Sequence, residues 1–203
     1  MIGKWNPSVI LTYIGLACAV AGIILAADLK CSVILLMTAG LCYLFDGVVA
    51  RRVKRNEEEK LFGVQIDSLV DAVSFIALPI ALTAHLVSNL YVMIPVSVFY
   101  AICGVARLGF FNIKTEGEGP VKYYRGLPVT YSALIFPLAV LLFKFVTDKG
   151  YIAADSAVYL LPVCLAAVGF LYILDFKAIK PRGKAYIFFL LLYIAMFAYF
   201  IAI

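Results

Sequence analysis

Seven stretches of roughly twenty predominantly apolar residues recur along this chain, at 8–27, 31–50, 68–86, 90–111, 127–147, 156–174 and 185–203. No other feature limits the possible folds so tightly. A helix of about 20 residues crosses the hydrocarbon of a bilayer, and there every backbone N–H and C=O must be bonded within the protein. Only helices and closed barrels meet that demand. These runs are rich in Leu, Ala, Ile and Phe and lack the two-residue alternation of a barrel strand. The expectation is therefore all-α: a polytopic membrane helix bundle of about seven transmembrane helices, forming a single integral membrane domain over residues 1–203. Composition agrees, because 65% of the residues are apolar and 14% are charged. An ordinary soluble domain carries about 25% charged residues, and a disordered chain is polar.

The net charge of +5, from 17 Lys and Arg against 12 Asp and Glu, invites a nucleic-acid partner until the charges are located. They lie between the apolar runs, and no nucleic acid is expected. Arg51, Arg52, Lys54, Arg55 and Lys60 form one basic segment, Lys114, Lys122 and Arg125 a second, and Lys177, Lys180, Arg182 and Lys184 a third. With Lys4 these share one side if seven spans alternate, whereas the opposite loops offer Lys30 and Lys149, with Lys144 near a helix end. Short basic loops stay in the cytoplasm, which places the N-terminus and all three basic segments there. The first apolar run mimics a secretory signal but is long enough to be retained as a span. Five cysteines without CxxC or Cys/His spacing read as core filler. His85 falls on the far side from the acidic residues, and Trp5 reads as an interface anchor.

Asp46, Asp67 and Asp71 carry the functional signal, since a carboxylate in or beside an apolar span is costly unless a cation or water compensates it. Asp67 and Asp71 are four apart and project from one helical face, while Asp46 sits near the cytoplasmic end of the preceding span. All three reach one membrane level. Clustered acids repel one another, and divalent cations would hold them ionised; hard oxygen donors favour magnesium, manganese or calcium over zinc. Gly47 and Ala50 beside Asp46, and Gly63 before Asp67, leave room for a planar base or a phosphate, and Arg51 supplies a positive charge. Each residue alone also fits a plainer role: Asp46 as a helix-end charge, Asp67 as an N-cap, and 51–55 as a positive-inside anchor. The ordered set argues against coincidence.

In that order the residues resemble the signature of the CDP-alcohol phosphotransferase family, D-x-x-D-G-x-x-A-R, a spacer, then G-x-x-x-D-x-x-x-D. Residues 43–51 read Y-L-F-D-G-V-V-A-R and residues 63–71 read G-V-Q-I-D-S-L-V-D, so seven of eight fixed positions match within a signature region of 43–71. Tyr43 stands where the family has its first aspartate. The spacer 52–62, with Glu57, Glu58, Glu59 and Lys60, is longer than usual and is expected to be a loop. Segments 106–112 (A-R-L-G-F-F-N) and 123–130 (Y-Y-R-G-L-P-V-T) are similar to those that follow the signature in the phosphatidylserine synthases of that family. The likeness covers about residues 8–140.

The resemblance implies a six-helix family core plus one further helix, and a homodimer in the cell membrane with its active site facing the cytoplasm. It implies transfer of a phosphatidyl group from CDP-diacylglycerol to L-serine, releasing CMP. By the family pattern Asp46, Asp67 and Asp71 are metal ligands for magnesium or manganese, with calcium a further candidate, and Asp71 also accepts the serine proton. Gly47, Ala50, Arg51 and Gly63 would shape the donor's nucleotide site. Arg107, Asn112, Lys122, Tyr124 and Arg125 are the acceptor candidates. The residues themselves favour Arg107, which follows 17 uncharged residues (90–106) and must find an anion or water. Lys122 and Arg125 read equally well as solvated loop charges, and the loop 114–126 is expected to close over the site. Tyr43 raises the alternative of a non-catalytic relative. Two other functions stand beside this one. A family member using glycerol 3-phosphate or an inositol phosphate would demand a denser basic pocket, and a membrane transporter would leave the Gly47, Ala50, Arg51 and Gly63 spacing unexplained.

Overall fold

Proline is tolerated at the first position of a helix because its missing N–H needs no partner there. Pro7 opens α1 (Pro7–Ile24) in this way. The computed structural model describes residues 3, 5, 7–115, 123–179 and 184–202. Helix α1 turns at 25–28 into α2 (Leu29–Arg52), whose first turn is capped by Asp28 accepting the Cys31 N–H at 3.0 Å. The two helices form the most extensive contact in the molecule. Small residues permit it: a Cβ added at Gly15 would stand 3.2 Å from Cys42 Cβ, and one at Gly22 would stand 3.3 Å from Leu35 Cβ.

The spacer expected as a loop is largely helix. Only Val53, Lys54, Arg55 and Asn56 separate α2 from α3 (Glu57–Ala72), so Glu57, Glu58, Glu59 and Lys60 lie in the first turn. The reason is a capping box: Asn56 Oδ1 accepts the Glu59 N–H at 2.8 Å and Glu59 Oε2 accepts the Asn56 N–H at 2.9 Å. Three acids at the positive end of the helix add to it. Helix α3 continues through a π-helical turn (Val73–Ala77) into α4 (Leu78–Leu86), one rod of 30 residues. Asp67 and Asp71 therefore sit well inside a long helix. The N-cap role for Asp67 is ruled out, and the third helix begins eleven residues before the apolar run at 68.

Helix α5 (Leu90–Thr115) has two faces that the helical period separates. Ile94, Val98, Ile102 and Val105 are exposed along one, as a surface facing lipid would be, while Met93, Tyr100, Cys103 and Arg107 are buried along the other. The inward face packs on α8 (Leu160–Ile173), which follows a single turn, α7 (Ala154–Ala157). Between them in the chain comes α6 (Ser132–Asp148), entered through a 3₁₀ turn (Val129–Tyr131). Among the described residues the departure from all-α is a short ribbon: β1 (Tyr123–Arg125) pairs antiparallel with β2 (Lys177–Ile179), Tyr124 opposite Ala178. Helix α9 (Lys184–Ala202) lays Met196 and Phe200 into a cluster with Met37, Leu82, Val140 and Leu161. Among the described residues, five helical segments are long and apolar enough to cross a membrane: Leu29–Asp46, Glu57–Leu86, Leu90–Ile113, Val129–Asp148 and Ala154–Ile173. The apolar parts of the first and last helices, Val9–Ile24 and Leu190–Ala202, are shorter. All five cysteines are free thiols.

Candidate active site

On α3 the spacing 67, 71, 74 repeats the helical period, so Asp67, Asp71 and Ser74 share one face. On α2, Tyr43 and Asp46 are three apart and share another. Where the two faces meet, Asp46, Asp67 and Asp71 line one narrow cleft of about 10 Å³ together with Thr12, Tyr43 and Ser74. Thr12, buried on α1, donates from Oγ1 to Asp67 Oδ1 at 3.2 Å. The Tyr43 ring, 40% exposed, meets Phe75 edge-on at 6.0 Å between centroids, so this side chain is an apolar wall at the mouth of the cleft.

Asp67, Asp71 and Tyr43 also line a second, larger cavity of about 430 Å³. That is the size of a small-molecule site. Its polar lining includes Arg107, Asn112, Ser68 and Thr130 along with the two acids, and its apolar lining includes Leu41, Leu44, Leu134 and Leu190. Arg107 is 6% exposed; its Nε donates to the Leu127 carbonyl at 3.1 Å and its guanidinium lies 5.7 Å from the centroid of the Phe111 ring. Ser68 donates to Asn112 Oδ1 at 2.8 Å, which ties the signature helix to α5. The segment after the ribbon is pinned to the end of α8, since Gly126 N–H donates to the Phe176 carbonyl at 2.8 Å and Leu127 N–H to that of Leu171 at 3.2 Å. Gly126 has φ +71°, and a Cβ there would stand 3.1 Å from both the Leu174 and Tyr172 carbonyl oxygens. Only glycine fits.

The sequence model of the CDP-alcohol phosphatidyltransferase family matches residues 5–174. This chain belongs to that family. It is 36% identical over 108 residues to a CDP-diacylglycerol–serine O-phosphatidyltransferase of Saccharomyces cerevisiae, covering 49% of this chain and 38% of the yeast protein. It is 36% identical over 115 residues to an archaetidylserine synthase of Methanothermobacter thermautotrophicus, covering 55% and 48%. A CDP-diacylglycerol–serine O-phosphatidyltransferase of Methanocaldococcus jannaschii matches at 27% over 161 residues, 76% of this chain and 70% of the relative. The chain thus spans less than half the length of the first two relatives.

Among the expected site residues, the structure brings together Tyr43, Asp46, Asp67, Asp71, Arg107 and Asn112 around two adjoining cavities. Ala50 and Gly63 are not among the described residues that line them; Gly63 lies on the second turn of α3, where a Cβ would stand 3.4 Å from Arg55 Nη1. Gly47 and Arg51 are placed on α2, and Tyr124 and Arg125 on β1, by their backbones; their side chains lie outside the described part of the structure. Lys122 and most of the loop expected to close over the site lie outside the described residues. Sequence reasoning missed Thr12, Ser68 and Ser74, although each is a hydroxyl in or beside an apolar run. It also missed Leu190 and Tyr193, which reach the larger cavity from beyond the family match.

The family is generally metal-dependent. Three hard-oxygen carboxylates from two helices are the right donors for a divalent cation, and the small cleft has about the volume of one water-sized body. Their side chains are not yet gathered, however: among the described residues no three acidic, Cys or His side chains form a ligating group. The donor set fits such an ion in kind, since all three carboxylates line the one cleft.

Proposed function

We propose that this chain transfers the phosphatidyl-type group of a CDP-linked lipid to the hydroxyl of L-serine and releases CMP. The observation that carries the reading is that one cavity is lined both by a buried guanidinium, Arg107, and by the signature acids Asp67 and Asp71. Serine brings a carboxylate for the first, and its hydroxyl and ammonium for the second. In the step itself the serine oxygen attacks the phosphorus that bears the lipid, the new O–P bond forms, the anhydride bond to CMP breaks, and the serine proton passes to Asp71. Asp71 suits that role because it lines both the small cleft and the larger cavity. Arg107 holds the acceptor by a charge-assisted contact, while its bond to Leu127 fixes where the guanidinium stands. The leucines that line the cavity receive the start of the lipid chains, and the apolar walls exclude water that would hydrolyse the donor. A divalent metal, magnesium or manganese, bound by Asp46, Asp67 and Asp71 would neutralise charge on the pyrophosphate.

The same reading makes the chain a single membrane domain of seven spans and a homodimer, with the site at the cytoplasmic face of the cell membrane; the support for orientation is the clustering of Lys and Arg in alternate loops. A phosphorylated acceptor is disfavoured because Arg107 is the one basic side chain among the described residues lining the larger cavity. The test is purified protein in detergent with Mn²⁺, CDP-diacylglycerol and labelled serine, with a CDP-linked ether lipid as a parallel donor. Serine-dependent CMP release supports the proposal. Release driven as well by glycerol 3-phosphate or an inositol phosphate would overturn the acceptor assignment, and ion flux without CMP release would favour a transporter.

A further inference from the structure

Hydroxyl side chains inside helices ordinarily bond back to the carbonyl four residues earlier. In this protein Thr38 donates to Ile34, Thr83 to Pro79 and Thr147 to Phe143, each at 2.8–2.9 Å. Ser74 does not. It is 1% exposed, and its Oγ is a buried polar atom with no hydrogen-bond partner among the described residues. A buried hydroxyl left in that state costs free energy, so an orphan of this kind calls for a missing partner. Ser74 follows Asp71 by three positions and Asp67 by seven, and it lines the cleft that these acids share with Asp46.

Tyr43 stands in the same cleft, where the family signature has an aspartate, and its ring rests on Phe75, the neighbour of Ser74. The cleft therefore offers three carboxylates and one unpartnered hydroxyl, which is a neutral hard-oxygen donor of the kind that magnesium, manganese and calcium accept. The hydroxyl of Thr12 is already engaged with Asp67. A volume of about 10 Å³ is that of one water-sized body, and three carboxylates leave one negative charge over with one divalent ion but a positive excess with two.

We propose that Ser74 Oγ is a direct ligand of a single divalent cation in this cleft, supplying the oxygen donor that Tyr43 removes. The proposal rests on the reading of the cleft as a cation site, and its test separates the two. Full-length protein in detergent is titrated with Mn²⁺ alone, free Mn²⁺ being read by electron paramagnetic resonance, and then with Cd²⁺ alone. One Mn²⁺ per chain is expected, with affinity falling about tenfold in Ser74→Ala. Ser74→Cys, nearly isosteric, should lose Mn²⁺ affinity and gain Cd²⁺ affinity over the parent, whose five free cysteines set the background, because a thiolate prefers the softer ion. If Ser74→Ala fails to fold, the Cys variant decides alone. Parent-like affinities for both ions in both Ser74 variants, with Mn²⁺ lost in Asp67→Ala, would overturn the Ser74 assignment and keep the cation site. Two Mn²⁺ per chain would overturn the single-ion arrangement. Equal, negligible uptake by parent and Asp67→Ala would overturn the cation site and this proposal with it.

Discussion

Replacing Gly126 by alanine should damage both stability and serine use, and the structure gives the size of each effect. The residue sits at φ +71°, where an L side chain costs about 1–2 kcal/mol through the clash of Cβ with the following carbonyl. Gly150, at φ +69°, bears that cost alone, because a Cβ there meets nothing within 4 Å. At Gly126 the added atom meets two backbone oxygens of 172 and 174 at 3.1 Å, in a segment to which Gly126 and Leu127 are bonded through the neighbouring carbonyls of Phe176 and Leu171. Backbone cannot swing aside as a flexible side chain does, so a further 1–3 kcal/mol or so is expected from overpacking. The total is about 2–5 kcal/mol for Gly126→Ala against about 1–2 for Gly150→Ala. The functional effect follows from Leu127, whose carbonyl accepts from Arg107 Nε. Moving that carbonyl releases the guanidinium, and losing a charged hydrogen bond of about 1.5–3 kcal/mol raises the serine KM about 10- to 100-fold. The checks are denaturant unfolding of both variants in detergent and CMP release as a function of serine. Equal destabilisation of the two variants, or an unchanged serine KM in Gly126→Ala, would refute the reasoning.

Asp71→Asn should abolish CMP release, at least a hundredfold by the usual worth of a general base, while the unfolding transition stays in place; turnover within a few-fold of the parent would remove Asp71 from that role. Arg107→Ala should raise the serine KM by about 10- to 100-fold and leave donor affinity nearly unchanged, and an effect on the donor alone would reassign Arg107 to the phosphate site. Tyr43→Asp should lose an edge contact with Phe75 of about 0.5–1.5 kcal/mol and gain a fourth carboxylate, raising Mn²⁺ affinity and turnover together; titration and CMP release without gain would show tyrosine to be a tolerated variation. The Cys31 N–H holds the Asp28 carboxyl below the usual carboxylate range. Its folded-state value is thus the lower one, so its cap on α2 is at full strength above the unfolded value and is lost as pH falls through the folded value. Protection of the Cys31 amide from hydrogen exchange should decline over that acid window in the parent and show no such decline in Asp28→Asn.

Much of the architecture is a local matter. The free energy of moving a segment into hydrocarbon depends on its own side chains, so the recurrence of long apolar runs is enough to specify a helical membrane bundle. Helical phase is local too, which is why Asp67 and Asp71 could be placed on one face before any contact was known. The start of α3 was equally local but hidden from a hydropathy window: Asn56 and Glu59 spell a capping box, and the polar turn they begin scores as a loop although it bonds as a helix.

The sequence by itself therefore determined the class of fold, the acids that matter and the glycine, alanine and arginine pattern around them, because each follows from burial cost or short-range spacing. Tertiary structure decided which of these residues share a site. Thr12 reaches Asp67 across 55 positions and Ser68 reaches Asn112 across 44, and neither pairing has a local signature. The turn after β1 is held because the last turn of α8 and the segment just beyond it supply the carbonyls, Leu171 and Phe176, that bind Leu127 and Gly126. Leu190 and Tyr193 wall the larger cavity because α9 packs on α2 and α6. The physical reason is common to all of these. A segment's hydropathy and period say which face is apolar, but the partner for that face is chosen by the close packing of small and large side chains across helices far apart in the chain.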